Sequence, residues 1–386
     1  MTAFKNKLLL FLFFILISFF VKAINIEVKI YTGLNLTSLD IQILSGKYIL
    51  SDSLNKISDL YKTHTVQFSV EGKKIRVKKL GYDLGLFSSV RLSGEGFLNT
   101  IQIKPVKSEK NERVYDDNLI ITVKNGFLEI VNHVNLEYYV AGVVESESGI
   151  MNNIEFYKVQ AIICRTYAVS NFQKHLKEEG FNLCDQTHCQ VYRGRCKNST
   201  ILLATSQTSG DVIVDANKKL ISAAFHSNCG GQTMNSEDVW SISTTYLKSV
   251  RDSFCMKKTQ AKWQKKILKK DFLNFLVTTY KFPIDDSSKV NSIINFKQDV
   301  RKVLLVSDPN IPLKLIRNDF KLKSTFFTIS PGKGDTLIFK GRGFGHGVGL
   351  CQEGAMRMVE LGYGFKDIIR KYYTNVSILN FEEMKP

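Results

Sequence analysis

The sequence predicts an α+β protein in which a small all-β domain precedes a mixed α/β domain. Three observations lead there. Residues 24–106 hold short β-branched and aromatic runs separated by turn residues. A long stretch of helical periodicity then follows a short apolar run. Near the C-terminus, glycine occupies every second position from Gly341 to Gly349. At 386 residues and 44% hydrophobic content the chain can hold two or three domains with ample core.

The first residues bear on compartment. Lys5 and Lys7 precede an uncharged apolar run from Leu8 to Val21, and Val21-Lys22-Ala23 resembles a small-residue cleavage site. The run is short for a membrane span, so residues 1–23 read as a signal peptide, with an uncleaved N-terminal anchor as the alternative. Either way the body of the chain is expected outside the cytoplasm: secreted, periplasmic or held at the outer face of the membrane. The net charge of +17 steers toward polyanions. With nucleic acid removed by compartment, an anionic cell wall remains, and the membrane enters only through an uncleaved N-terminus. Seven cysteines cannot all pair internally.

The all-β domain, 24–106, includes Ile26–Tyr31, Thr65–Val70 and Thr100–Ile103 as strands, with Glu71-Gly72-Lys73 as a turn. Residues 107–116 are polar and read as a linker. The second domain, 117–386, begins to show chemistry at Tyr139–Val144, a short β-branched run read as a strand that ends at Glu145-Ser146-Glu147. Glu147 is expected in a turn, with Glu145 on the other side. Asn152 and Glu155 make a capping-box-like start to a helix that Gly180 would close. On that helix Val159, Ile162, Ile163, Thr166, Val169, Phe172 and Leu176 form an apolar stripe. Lys158 and Arg165, seven apart, share an azimuth within about 20° at its edge. Cations there need an anion, either a carboxylate of the chain or a ligand.

Downstream, Ala223–Phe225 reads as a strand running through His226 into Gly230-Gly231, a turn that lets backbone approach a ligand. Leu268–Tyr280 reads as a helix. In an extended chain the glycines of 341–349 would leave one bare face and place Arg342, Phe344 and His346 on the other. The Lys-[Ser/Thr] pair of a phosphate loop is missing. Gln352–Leu361 continues as a helix. Cys184, His188 and Cys189 offer three soft or borderline donors in six residues. They suit Zn²⁺ in a closed tetrahedral site, with a Cys184–Cys189 disulfide as the alternative.

These residues also carry a resemblance. Ser146-Glu147, then Lys158, Gln160, Ala161, Arg165, Thr166, Tyr167 and Ala168, then His226–Gly231 and Gly343–Ala355, follow in the order found in the SpoIID/LytB family (stage II sporulation protein D). The likeness runs over roughly residues 117–376. It implies a SpoIID-like catalytic domain and a peptidoglycan lytic transglycosylase. Such an enzyme cleaves the MurNAc–GlcNAc bond of glycan strands, leaves 1,6-anhydro-MurNAc ends, and prefers strands that an amidase has stripped of peptide. The resemblance makes Glu147 the acid. It gives Lys158, Arg165, Gln190, Tyr192, His226, Gly230, Gly231, Arg342, Gly345, His346, Gly347 and Gln352 to the substrate. It puts His175 first as fourth zinc ligand, ahead of Cys196, then His226 or Cys229. Zinc is expected to be structural, because many family members lack the cluster. Two other readings remain open: a non-catalytic wall-binding modifier of a partner hydrolase, and a zinc hydrolase with its metal at the chemistry.

Overall fold

A computed structural model describes residues 24–53, 55–106, 111–149 and 153–384. The proposed signal peptide and Asn152 lie outside them. The described residues form two compact units: 24–28 with 35–136, and 29–34 with 137–384. The fold is α+β.

The first unit is built on one sheet, antiparallel from β2 to β10. Its strands are β1 (Asn25–Ile30), β2 (Ser38–Asp52), β3 (Asn55–Leu60), β4 (Thr65–Glu71), β5 (Lys74–Lys79), β6 (Tyr82–Phe87), β7 (Ser89–Pro105), β8 (Arg113–Asp116), β9 (Asn118–Lys124) and β10 (Phe127–Asn135). They run in the order β1-β10-β9-β7-β2-β4-β5-β6, with β3 on β2 and β8 on β7. Alternation sets the register: Leu39, Ile41 and Ile43 on β2 and Ile75 and Val77 on β5 are buried while their neighbours are more exposed. The unit boundary falls at Leu136 rather than at residue 117, and the physical reason is pairing. β8 lies within the expected linker yet pairs with β7, and β9 and β10 complete the same sheet.

The second unit opens with a correction. Leu136–Ser148 is a helix, α1, and not a strand ending in a turn. Val140, Ala141, Val143 and Val144 are buried against neighbouring elements, so packing overrides β-branched propensity. α2 (Ile154–Ser170) follows, with Asn153 as its N-cap accepting from the Glu155 N–H at 3.0 Å. It stops at Ser170; Gly180, at φ +80°, instead closes the separate turn of helix Leu176–Glu179. A subcore around Phe272, Leu276, Ile316, Phe327 and Phe339 joins the sheet of strands Lys262–Leu268, Thr336–Arg342 and Phe327–Pro331 to helices Lys269–Tyr280, Ser287–Ile294 and Leu313–Asp319. Among the described residues no helix is long and apolar enough to cross a membrane.

Candidate functional site

The C-terminal turn of α1 is fastened to the segment after residue 190 by three acceptors in a row. Glu147 Oε1 accepts from Val191 N–H at 2.8 Å, Ser146 Oγ from Arg193 N–H at 3.1 Å, and Glu145 from Lys197 and Asn198 N–H. Two residues span about 200° on a helix, which is why Glu145 and Glu147 part. A strand would have put them on one face.

Glu147 lies in a cleft of about 680 Å³, lined also by Tyr167, His188, Gln190, Phe225, Trp240, Arg317, Gly345 and His346. It is the one carboxylate among the described lining residues. Burial pushes its carboxyl above the usual glutamate range, against the Val191 N–H and the charge of Arg193, which pull it down. Oε2 has no hydrogen-bond partner among the described residues. Behind Glu147, the buried Cys164 thiol is pushed up by desolvation and then by the carboxylate charge.

His346 also lines the cleft. Its Nδ1 accepts from Val348 N–H at 3.0 Å and its Nε2 sits 2.9 Å from the Phe225 carbonyl, so Nε2 carries the proton. Burial lowers its pKa to about 4, leaving a neutral ring at neutral pH. The Trp240 ring lies 5.2 Å from it, centroid to centroid. His226 stands behind His346 at 5.5 Å and does not line the cleft. It too is held neutral by burial, and its Nδ1 meets Val348 O at 3.1 Å.

The expected substrate ligands divide. Gln190, Gly345 and His346 line the cleft. Gln352 borders Glu147 by donating to its backbone carbonyl at 3.4 Å. The others point elsewhere. Arg165 is fully buried, bonded through Nε and Nη2 to Glu137 and through both Nη atoms to the carbonyls of Asp211 and Thr205. It is a structural ion pair, because α2 is buried on nearly every side. Lys158 is held by Glu155 at 2.8 Å and over the Phe365 ring, outside the cleft lining. Tyr192 is core: its ring packs 5.0 Å from that of Tyr139 and against Gly142.

The alternating glycines do not form a strand to 349. The strand stops at Arg342, and Gly343, Gly345, Gly347 and Gly349 all take positive φ. A Cβ on Gly345 would lie 2.8 Å from His226 Cβ, and one on Gly343 would lie 2.6 Å from Asn228 O. The bare face therefore serves close approach of the 226–230 backbone. Gly230 packs on Arg342, and Gly347 on Arg301. Arg342 stacks on Phe326 at 3.9 Å and lines a different cleft, beside Trp263. Arg317 was missed by sequence reasoning. Its Nε is buried without a partner, and its stretch carries no motif, so only the fold brings it here.

Beside the cleft, ligand atoms of His175, Cys184, His188 and Cys189 all lie within 4.8 Å of one another. Cys189 Sγ is 3.5 Å from His175 Nε2 and 3.7 Å from His188 Nδ1, and Cys184 Sγ is 3.9 Å from that Nδ1. His175 Nδ1 meets Glu179 Oε1 at 2.8 Å, the carboxylate support that metal-bound imidazoles usually have. The donor set fits tetrahedral zinc.

The family model described as Stage II sporulation protein matches residues 124–214. Over 264 residues the chain is 30% identical to "Stage II sporulation protein D" of Bacillus subtilis (strain 168), covering 64% of this chain and 75% of that one. An uncharacterized protein of Brachyspira hyodysenteriae (strain ATCC 49526 / WA1) is 29% identical over 275 residues, 70% of this chain and 73% of its own. "Amidase enhancer" of Bacillus subtilis (strain 168) is 26% identical over 291 residues, 62% of this chain and 40% of its own. The motif order, the cleft and these matches together place the chain in the SpoIID family, to which it belongs.

Proposed function

We propose that the protein acts on the cell wall outside the cytoplasm as a peptidoglycan lytic transglycosylase with Glu147 as its acid. The observation that carries this is the solitary carboxylate. Two-carboxylate glycosidases need a second acid some 5–10 Å away, and the described cleft lining has none. A lytic transglycosylase needs one group in two roles. Glu147, its carboxyl held above the usual glutamate range by burial, gives its proton to the departing glycosidic oxygen. The carboxylate then takes the proton of the muramyl C6 hydroxyl as that oxygen attacks C1 and closes the 1,6-anhydro ring.

Other lining groups have clear tasks. Val191 N–H fixes one Glu147 oxygen, leaving Oε2 for proton transfer. Gln190, whose Nε2 is buried without a partner among the described residues, suits sugar hydroxyls and acetamido groups, and His346, its two ring nitrogens held by backbone, offers its ring. Trp240 offers a ring face, and Arg317 a cation for acyl carbonyls or for the lactyl carboxylate bared when an amidase removes the peptide. The relative named Amidase enhancer supports a wall amidase as partner. Zinc held by His175, Cys184, His188 and Cys189 would clip the end of the α2 region beside Gln190, with no part in proton transfer.

Glu147→Gln tests the reading, because Gln retains the acceptor for Val191 N–H and removes the acid. Digestion of amidase-treated glycan followed by mass analysis should show anhydro ends from wild type and essentially none from the variant. A variant keeping more than a few per cent of activity would remove Glu147 as the acid, and a wild type that binds but never cleaves would leave only the wall-binding modifier.

A further inference from the structure

A second cluster lies apart from the cleft and from the His/Cys group. Cys229, Asp252, Cys255 and Cys351 are all fully buried, and their ligand atoms lie within 4.8 Å of one another. Cys229 Sγ is 3.4 Å from Cys255 Sγ and 3.3 Å from Asp252 Oδ2. Ligands about 2.3 Å from a tetrahedral zinc stand roughly 3.8 Å from one another, so the spacing is near that of a coordination shell. We propose that these four side chains bind a second structural metal ion, a zinc-class divalent cation in a closed site of three sulfurs and one oxygen.

Independent support comes from the groups around them. Cys351 Sγ accepts from Cys229 N–H at 3.2 Å and from Gly354 N–H at 3.4 Å, the latter as N-cap of helix Gln352–Glu360. Asp252 Oδ2 accepts from Tyr372 OH at 2.9 Å, and Oδ1 from Phe254 N–H at 2.9 Å. Donors aimed at sulfur and carboxylate are the outer shell that orients metal ligands. The buried Arg301 donates to Cys229 O at 3.3 Å, placing positive charge where three thiolates and a carboxylate would exceed the charge of one divalent ion. Without a cation the four groups would have to stay protonated, because a charge in a dry pocket is costly.

The site joins three separate stretches: the Gly230-Gly231 loop, the 252–255 turn and the start of the helix whose first residue, Gln352, touches Glu147. Its role is to staple the cleft wall. Thiolate-rich donors favour Zn²⁺ over hard cations, and the burial leaves no open position.

The test is zinc stoichiometry of the full chain, measured in wild type, in Cys229→Ser/Cys255→Ser, and in Cys184→Ser/Cys189→Ser. The proposal expects one equivalent to disappear with Cys229 and Cys255 and to persist when Cys184 and Cys189 are replaced. That result does not depend on what the first cluster binds. Should the Cys229/Cys255 variant not fold, cobalt titration of the Cys184/Cys189 variant replaces it. Intense sulfur-to-cobalt absorption, with Cys229, Cys255 and Cys351 protected from alkylation until chelator and denaturant are added, supports the site. Metal lost entirely with Cys184 and Cys189, or Cys229 and Cys255 recovered as a disulfide, overturns it.

Discussion

The surroundings of Glu147 suit the acid role proposed for it. Burial raises its pKa, and a raised carboxylate keeps its proton to higher pH. The rate should therefore be level below that pKa and fall as pH rises through it. The descending limb of kcat/KM is expected above the ordinary glutamate value of 4.5; a limb at or below it would remove Glu147 from the acid role. His346, at about 4, and the still more shielded His226 are already neutral there and cannot supply that limb. The same shift makes a stability prediction. A raised folded pKa contributes stability that is present below the unfolded pKa and lost as pH rises through the folded one. The thermal stability of Glu147→Gln relative to wild type should thus increase from acidic to neutral pH in parallel melting curves. Arg317, a cation of the lining whose Nε is buried without a partner among the described residues, belongs to the same scale. Arg317→Met should lower kcat/KM about tenfold, a loss of ~1.4 kcal/mol, with Tm nearly unchanged. A fall in Tm with normal turnover would make it a structural residue.

At the scale of elements, α1 and α2 are held by an ion pair and by close packing. Arg165→Met removes the cation paired with Glu137 and strips two carbonyls of a donor, so it should cost about 3 kcal/mol in chemical denaturation. Turnover per folded molecule should stay normal; a loss of turnover without a loss of stability would return Arg165 to the substrate. Gly142 marks where α1 meets the 190s segment. A Cβ there would stand 2.6 Å from the Tyr192 ring, so Gly142→Ala should destabilise by about 1–3 kcal/mol despite alanine's better helix propensity. These elements were only partly legible in sequence. Helix α2 was plain from its periodicity. The α1 segment was not, because a short β-branched run looks alike as a strand or as a buried helix.

For the whole molecule, the excess of 53 basic over 36 acidic residues is the long-range property. Attraction of this kind is screened over roughly 10 Å at 0.1 M salt. Binding to intact anionic wall should weaken steeply as salt rises, measured by co-sedimentation. Cleavage of short purified glycans, governed by contacts inside the cleft, should change far less. Equal salt sensitivity of both would show that charge acts within the cleft rather than over the surface.

Periodicity and ordered motifs, both local properties, determined much on their own. They gave the α+β class, the strands β1 and β4, the helix at 269–280 and the family, and they pointed to Glu147 and to Cys184, His188 and Cys189, which the structure groups with the His175 that the resemblance put first. Tertiary structure decided which motif residues face the cleft. Arg165 and Tyr192 went to the core and Arg342 to another surface, while Arg317 came in from a stretch without a motif. It also gathered Cys229, Asp252, Cys255 and Cys351 from three distant stretches. The reason is that a motif specifies residue types along the chain. Burial and ligand geometry depend on which segments pack together, and that is set by contacts far apart in sequence.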